Sequence, residues 1–383
     1  MSDRSDDPRF SLAERLVDGV LSPMKARFVG KDDAIDLLGV ALVGRENIFL
    51  YGPPGTAKSA VINELGRRLD GRVFDYLLTR FTEPNELFGP FDIRRLRDGD
   101  LVTNTEGMLP EADLVFLDEL LNANSAILNA LLLALNERIF RRGRETRPLP
   151  TLMIAAAGNT LPEDETLGAL FDRFLIRVNV DNVDGERLGD VLDAGWRMEQ
   201  ADGSDDHAIG VDEVRQVQSL VAEVDVASVR PVYQDAIAAM RRAGLAVSDR
   251  RAVRYQRLLA ASAILCGRNR AQPSDLWVLR TTWDRVEQQA VLASLVDELI
   301  TAHASDDDGR DHPQASVGAA PDPESLARDL ETLRQSLAEA EPERRLQVRD
   351  RLASLAGRVQ WVSPGPQRDA LEKTVHELWT ALA

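Results

Sequence analysis

The chain has 383 residues, 44% of them hydrophobic and 28% charged, with a formal net charge of −17. That length leaves room for two or three domains, and the composition is that of a globular protein. The charge argues against a nucleic-acid binder dominated by phosphate contacts. No apolar run approaches the ~20 residues of a membrane-spanning helix, and one cysteine, Cys266, cannot form an internal disulfide. Cys266 follows the apolar run Ala260–Leu265 and reads as a small core residue. The acidic start MSDRSDDPRF lacks the apolar centre of a signal peptide, so a cytoplasmic location is expected.

Residues 11–43 carry Leu12, Leu16, Val20, Ile35, Leu38 and Leu42 at helical spacing. Five short apolar runs follow, at Asn47–Tyr51, Val73–Leu78, Leu114–Leu117, Leu152–Ala157 and Phe174–Val180, with helical stretches between them. Continuous apolar runs alternating with helices predict an α/β fold around a parallel five-stranded sheet covered on both faces. Two inserts read as hairpins. One is Asp92–Thr105, turning at Arg97-Asp98-Gly99-Asp100; the other is Arg138–Pro148, turning near Gly143.

From Asp184 the pattern is all-helical, with segments near 184–198, 211–223, 231–243, 249–267 and 274–302. The stretch 304–323 is rich in Asp, Gly, Pro and Ala and predicts a flexible linker. Beyond it three leucine stripes recur: Leu326, Leu330, Leu333, Leu337; Leu352, Leu355, Val359; and Leu371, Val375, Leu378, Leu382. One amphipathic helix cannot bury its own stripe, so these predict a small helical unit or a partner-binding tail. The expected domains are 1–183, the α/β nucleotide-binding domain; 184–303, a helical lid; the linker 304–323; and a C-terminal helical domain 324–383.

The most informative motif is GPPGTAKS, Gly52 to Ser59, behind the first apolar run and at the start of a helix. In that context Gly52, Pro53, Pro54, Gly55, Thr56, Ala57 and Ala60 predict a loop whose backbone N–H groups surround phosphate oxygens. Lys58 supplies charge to the β- and γ-phosphates, and Ser59 offers a hydroxyl to Mg²⁺. The bland reading is a Gly/Pro turn with a stray lysine; the later motifs in the right order outweigh it. Ala57 stands where the pattern G-x-x-x-x-G-K-[ST] has its second glycine, and is expected to fit with a negative φ.

Three more motifs sit at the edges of apolar runs. Leu114-Val115-Phe116-Leu117 ends in Asp118 and Glu119. Asp118 would orient the Mg²⁺ shell and Glu119 would polarise a water for in-line attack; an acidic turn is the plainer reading of such a pair alone. Asn159, after Ala155–Gly158, would lie between the two phosphate motifs and hold the water, although Gly-Asn is also a common turn. Arg173, in Phe171-Asp172-Arg173-Phe174, would reach a neighbouring subunit's nucleotide in a ring, with Arg177 as a weaker rival and a surface ion pair as the alternative. In the all-helical region Ser248 or Asp249 reads as an N-cap. The arginine behind it, Arg250 in preference to Arg251, would contact the γ-phosphate from the lid; a solvated basic turn is the other reading.

Taken in order, these motifs resemble those of the AAA+ ATPases, and their details resemble the MoxR branch and its RavA-like subgroup. The resemblance rests on GPPGTAKS, on Phe81–Pro110, on LVFLDELLNANSAILNALLLALNER at 114–138, and on AAAGNT, FDRFLIRV and SDRRAVR, and covers roughly residues 10–300. It implies a hexameric ring that hydrolyses ATP between subunits with Mg²⁺. It also implies remodelling of partner proteins, among them ones with a von Willebrand factor A domain. The inserts match the family's hairpins near the pore, which makes Phe140, Arg141 and Arg142 candidate substrate contacts. The chain departs from the RavA pattern after the lid, where no long β-rich insertion appears. A nucleic-acid motor or loader and a nucleotide-gated scaffold that barely turns over are the competing classes.

Overall fold

A computed structural model describes residues 7–92, 95, 97, 102–142, 145–162, 165–183, 185–200, 207–303, 311–316, 323–338, 352, 355, 356, 359 and 365–382. The chain divides into two compact units, Met1–Ser305 and Asp306–Ala383.

The N-terminal helical stretch is split. α1 (Pro8–Leu16) runs through a π-turn, Val17–Leu21, into α2 (Ser22–Arg27), and α3 (Asp32–Gly44) starts afresh. Gly30, at φ +71, makes the break in a conformation that favours glycine. The five expected strands are present: β1 (Ile48–Tyr51), β2 (Val73–Leu77), β3 (Leu114–Asp118), β6 (Met153–Gly158) and β7 (Ile176–Asn179). They form one sheet in the order β2-β3-β6-β1-β7, with every pair parallel.

Alternate strand residues face opposite layers. Phe49, Val115, Leu117, Ile154 and Ala156 join one core cluster with Ile127, Leu128, Leu131 and Leu135 of α6 (Ser125–Glu137). Each fully buried Phe, Val, Leu or Ile side chain there contributes about 1.5–3 kcal/mol. On the other face lie α3 and α4 (Lys58–Arg68), where Gly66 packs against Val73 and Leu114. Asn124 caps α6, accepting from the Ala126 and Ile127 amides at 3.1 Å and donating to the Thr82 carbonyl at 2.8 Å.

α5 (Pro84–Phe88) precedes the first insert, where Phe91 bridges Thr103; residues 98–101, with most of the expected turn, lie outside the described residues. The second insert is a hairpin of β4 (Ile139–Arg142) and β5 (Glu145–Pro148), antiparallel, and its Gly143 also lies outside them. Phe140 is buried among the α6 cluster and Arg142 donates to the Gly89 carbonyl and Asn85. Arg141 is the exposed member of the three expected substrate contacts. α7 (Glu165–Phe171) leads into β7.

Among the described residues, five further α-helices belong to the first unit: α8 (Leu188–Gln200), α9 (Val211–Leu220), α10 (Arg230–Arg242), α11 (Asp249–Leu265) and α12 (Gln288–Ala302). The expected segment 274–302 is not continuous: a 3-10 helix, Pro273–Thr281, ends before residues 282–287, and α12 follows. Cys266 follows α11 and is half-buried, closer to the surface than its apolar neighbours suggest.

In the second unit, α13 (Pro323–Ala338) and α14 (Pro366–Leu382) bury Leu326, Leu330, Leu333, Leu371 and Leu378 in one cluster with Leu352, Leu355 and Val359. The leucine stripes therefore cover one another. Inside the expected linker, Pro313–Ser316 forms a 3-10 turn with His312, Gln314 and Ala315 buried, so this part is not the bare flexible chain its composition predicts.

Candidate functional site

Parallel strands deliver their carboxyl ends to one edge of the sheet. The register aligns Tyr51 of β1 with Gly158 of β6, and β6 lies between β1 and β3. The 52–59 loop, Asn159 and the Asp118-Glu119 pair are thereby placed at the ends of three adjacent strands, about 4.8 Å apart per strand. The expected intermediate position of Asn159 follows from that order, and its side chain is exposed.

Gly52 makes a close approach: a Cβ there would lie 2.3 Å from the Val180 carbonyl oxygen. Gly55 (φ +81) and Ala57 (φ +65) both adopt left-handed conformations. The expectation of a negative φ at Ala57 is overturned. The residue occupies the glycine-type conformation of the motif in spite of its methyl group, at a cost of about 1–2 kcal/mol. Ala57→Gly is therefore expected to raise the thermal unfolding midpoint by about 2 °C, as calorimetry would show; a lowered midpoint would contradict the strain.

Lys58 is 7% exposed, and its Nζ donates to the carbonyls of Pro53 at 2.7 Å and Gly52 at 2.9 Å. Burial lowers its pKa, against the pull of Asp118 and Glu119. Ser59 is half-buried in the first turn of α4. Asp118 accepts the Glu119 amide at 2.9 Å, and Glu119 accepts from Asn122 Nδ2 at 3.1 Å. Glu119 is itself left-handed, φ +51, so two non-glycine residues of the site hold unfavourable backbone conformations, as functional sites often do. Ser59 and Asp118 with phosphate oxygens would suit Mg²⁺, which takes few protein ligands. Among the described residues no cluster of three or more His, Cys, Asp or Glu forms a metal site of its own.

Lys31 was not evident from the sequence, where it is one cation between two helices. It is buried, donates to the Asp181 carbonyl, and lies close enough to Lys58 for the charges to interact. Tyr51 stacks edge-on with Trp283, centroids 6.2 Å apart.

Arg173 is at the opposite edge. Its carbonyl accepts from Asn47 Nδ2 at 2.9 Å, and Asn47 immediately precedes β1. The guanidinium lies 3.4 Å from Asp172, and burial, then the charge of Arg250, lowers its pKa. Arg250 is at that same edge, away from the 52–59 loop of its own chain. It stands beside Arg173 and donates to Asn136 near the end of α6 at 3.1 Å. Ser248 is the N-cap, accepting the Arg251 amide at 3.2 Å.

Arg177 and Arg251 are engaged elsewhere. Arg177 is 1% exposed; its guanidinium reaches Asp284 at 3.0 Å and the Trp283 carbonyl at 2.6 Å, and lies 4.3 Å from the Phe171 ring centroid. Burial, with Arg251 nearby, pushes its pKa down to about 10. Arg251 pairs with the same Asp284 at 2.9 Å and lies 3.5 Å from Asp172. One carboxylate thus joins β7 to α11, and Arg177 is no rival to Arg173 for a neighbour's nucleotide.

Residues 14–219 match the family of MoxR domains in MoxR-vWA-beta-propeller ternary systems, and residues 229–296 match an AAA lid domain. Two uncharacterised proteins of Methanocaldococcus jannaschii are each 32% identical, over 286 residues (73% of both chains) and 267 residues (69% of this chain and 70% of that one). Chaperone MoxR1 of Mycobacterium tuberculosis is 28% identical over 161 residues, 41% of this chain and 42% of that one. A crystal structure of a candidate ATPase from Cytophaga hutchinsonii superposes with a TM-score of 0.62 at 19% identity, covering 76% of this chain and 96% of its own, a likeness of fold. These likenesses do not single out the RavA-like subgroup. With its parallel five-stranded core and matched lid, the chain belongs to the MoxR family of AAA+ ATPases.

Proposed function

We propose that this protein binds ATP with Mg²⁺ and hydrolyses it at the boundary between subunits of a homo-hexameric ring, using the energy to remodel a partner protein. The observation that carries this reading is the division of the site between two edges of one sheet. The 52–59 loop, Glu119 and Asn159 lie at the carboxyl ends of adjacent strands, and Arg173 lies at the amino end of β7. β1 and β7 have four residues each, so about 13 Å of strand separates the two sets. A site completed by a second copy accounts for both.

In that reading the loop from Gly52 to Ala60 holds the phosphates and Lys58 neutralises them. Ser59 and Asp118 would hold Mg²⁺, which would supply charge neutralisation for the phosphoryl group. Glu119, fixed by Asn122, takes the proton of the attacking water while Asn159 orients it. A neighbour's Arg173, with Arg250 beside it, stabilises charge on the transferred phosphoryl group. A partner with a von Willebrand factor A domain is supported by the systems in which the matched domain family occurs.

The test is phosphate release by the full chain and by Lys58→Ala, with and without such a partner. Steady ATP turnover that Lys58→Ala abolishes supports the reading. Turnover that survives Lys58→Ala, or that responds to DNA and not to the partner, would refute it. No helix among the described residues is long and apolar enough to cross a membrane.

A further inference from the structure

α8 carries an apolar stripe that nothing in the described chain covers. Leu188, Leu192 and Trp196 step by four along the helix and are 52%, 65% and 64% exposed. The helix is seated through Ala194, which is buried, and through the half-buried Val191 and Met198. Glu199 lies within the stripe and Asp193 borders it, by helical spacing. The stripe begins at the nucleotide end of α3. Arg187, just before α8, acts electrostatically on Asp32, and Gly30 packs against Val183 and Arg187.

A different stripe lies at the other end of α3. Arg250, Val253, Arg254 and Arg257 follow i, i+3, i+4, i+7 along α11, and Val253 is 64% exposed. Arg257 donates to the Gly44 carbonyl, at the end of α3, at 3.1 Å, and Arg254 pairs with buried Glu46. Arg45, Arg138 and Arg173 stand close by and couple electrostatically to this group. In a chain of net charge −17 this is a concentrated basic patch with an apolar residue in its middle. α3 has 13 residues and so is about 20 Å long, and one chain cannot bring its own two stripes together.

We propose that the α8 stripe docks on the α11 stripe of a second copy of this chain, head to tail. The apolar residues Leu192 and Trp196 meet Val253. The Trp196 ring and the Asp193 and Glu199 carboxylates take guanidinium groups, a combination favoured at interface centres. The two surfaces differ, so the contact is heterologous and repeats until it closes into a ring. The proposal rests on the subunit-boundary reading above and gives it a surface. The basic stripe is continuous with Arg173, and the apolar stripe lies on the side of Lys31 and Lys58, so this docking brings one copy's Arg173 towards the other's loop.

Sedimentation of the full chain with a slowly hydrolysed ATP analogue tests it. Wild type is expected to assemble. Leu192→Glu with Trp196→Glu, and separately Val253→Glu, are expected to weaken association about 100-fold or more. Each should retain its nucleotide affinity and unfolding midpoint, because the altered side chains are exposed. Mixed one to one, the two variants offer one intact pair of stripes and should form a dimer and nothing larger. If wild type assembles and the variants assemble equally well, or the mixture stays monomeric, the docking is wrong while the ring stands. If wild type stays monomeric with nucleotide, the ring itself fails. Variants that assemble normally but lose a von Willebrand-domain partner would give the stripe to that partner and overturn the proposal.

Discussion

Arg173→Ala is expected to slow ATP turnover by about 10³-fold or more, the usual effect of removing an arginine that completes a phosphoryl-transfer site. Nucleotide affinity should stay within a few-fold of wild type, because Arg173 lies at the amino end of β7, away from its own loop. Asn47 fixes its backbone, so loss of the side chain should leave the surrounding turn in place. Mixing provides the sharper measurement. Arg173→Ala subunits keep an intact 52–59 loop and Lys58→Ala subunits keep Arg173, so mixed assemblies contain complete sites that neither variant has alone. Phosphate release should therefore rise on mixing. Full activity of Arg173→Ala alone, or no recovery in the mixture, would remove Arg173 from the role.

Glu119→Gln is expected to lower turnover by about 10²–10⁴-fold, the range for a lost general base. The amide keeps the size of the side chain and can still meet Asn122, whose Nδ2 lies 3.1 Å from Glu119 Oε2, so the left-handed turn should persist. ATP should then remain bound and unhydrolysed, detectable by filter binding and by phosphate release in a single turnover. A nearly normal single-turnover rate would show that another group takes the proton.

The sheet was legible in the sequence because a parallel strand buried on both faces must be apolar throughout, and its carboxyl end must stop at a polar residue if it serves a ligand. Gly52–Ser59, Asp118-Glu119 and Asn159 follow that rule. The conformation of Ala57 was not legible, since side-chain identity argues for negative φ and only the surrounding loop imposes +65°. Arg177 and Arg251 have the same residue type as Arg173 and Arg250 and lie only four positions and one position from them. Burial separates them, and burial is set by residues 282–284, more than 100 positions from Arg177. The end of the sheet at which Arg250 lies was hidden for a related reason: the sequence places it at a helix start, and only the packing of α11 along α3 shows where that start lies.

The shared carboxylate of Asp284 has a mechanical meaning. Swinging α11 away from β7 would pull Asp284 from Arg177 or from Arg251, and breaking a buried pair costs about 3–5 kcal/mol. That confines such an open form to under about 1% of molecules. α11 and the turn that carries Arg173 are thus stiffly joined, so in the hexameric ring we propose a power stroke would bend where two chains meet.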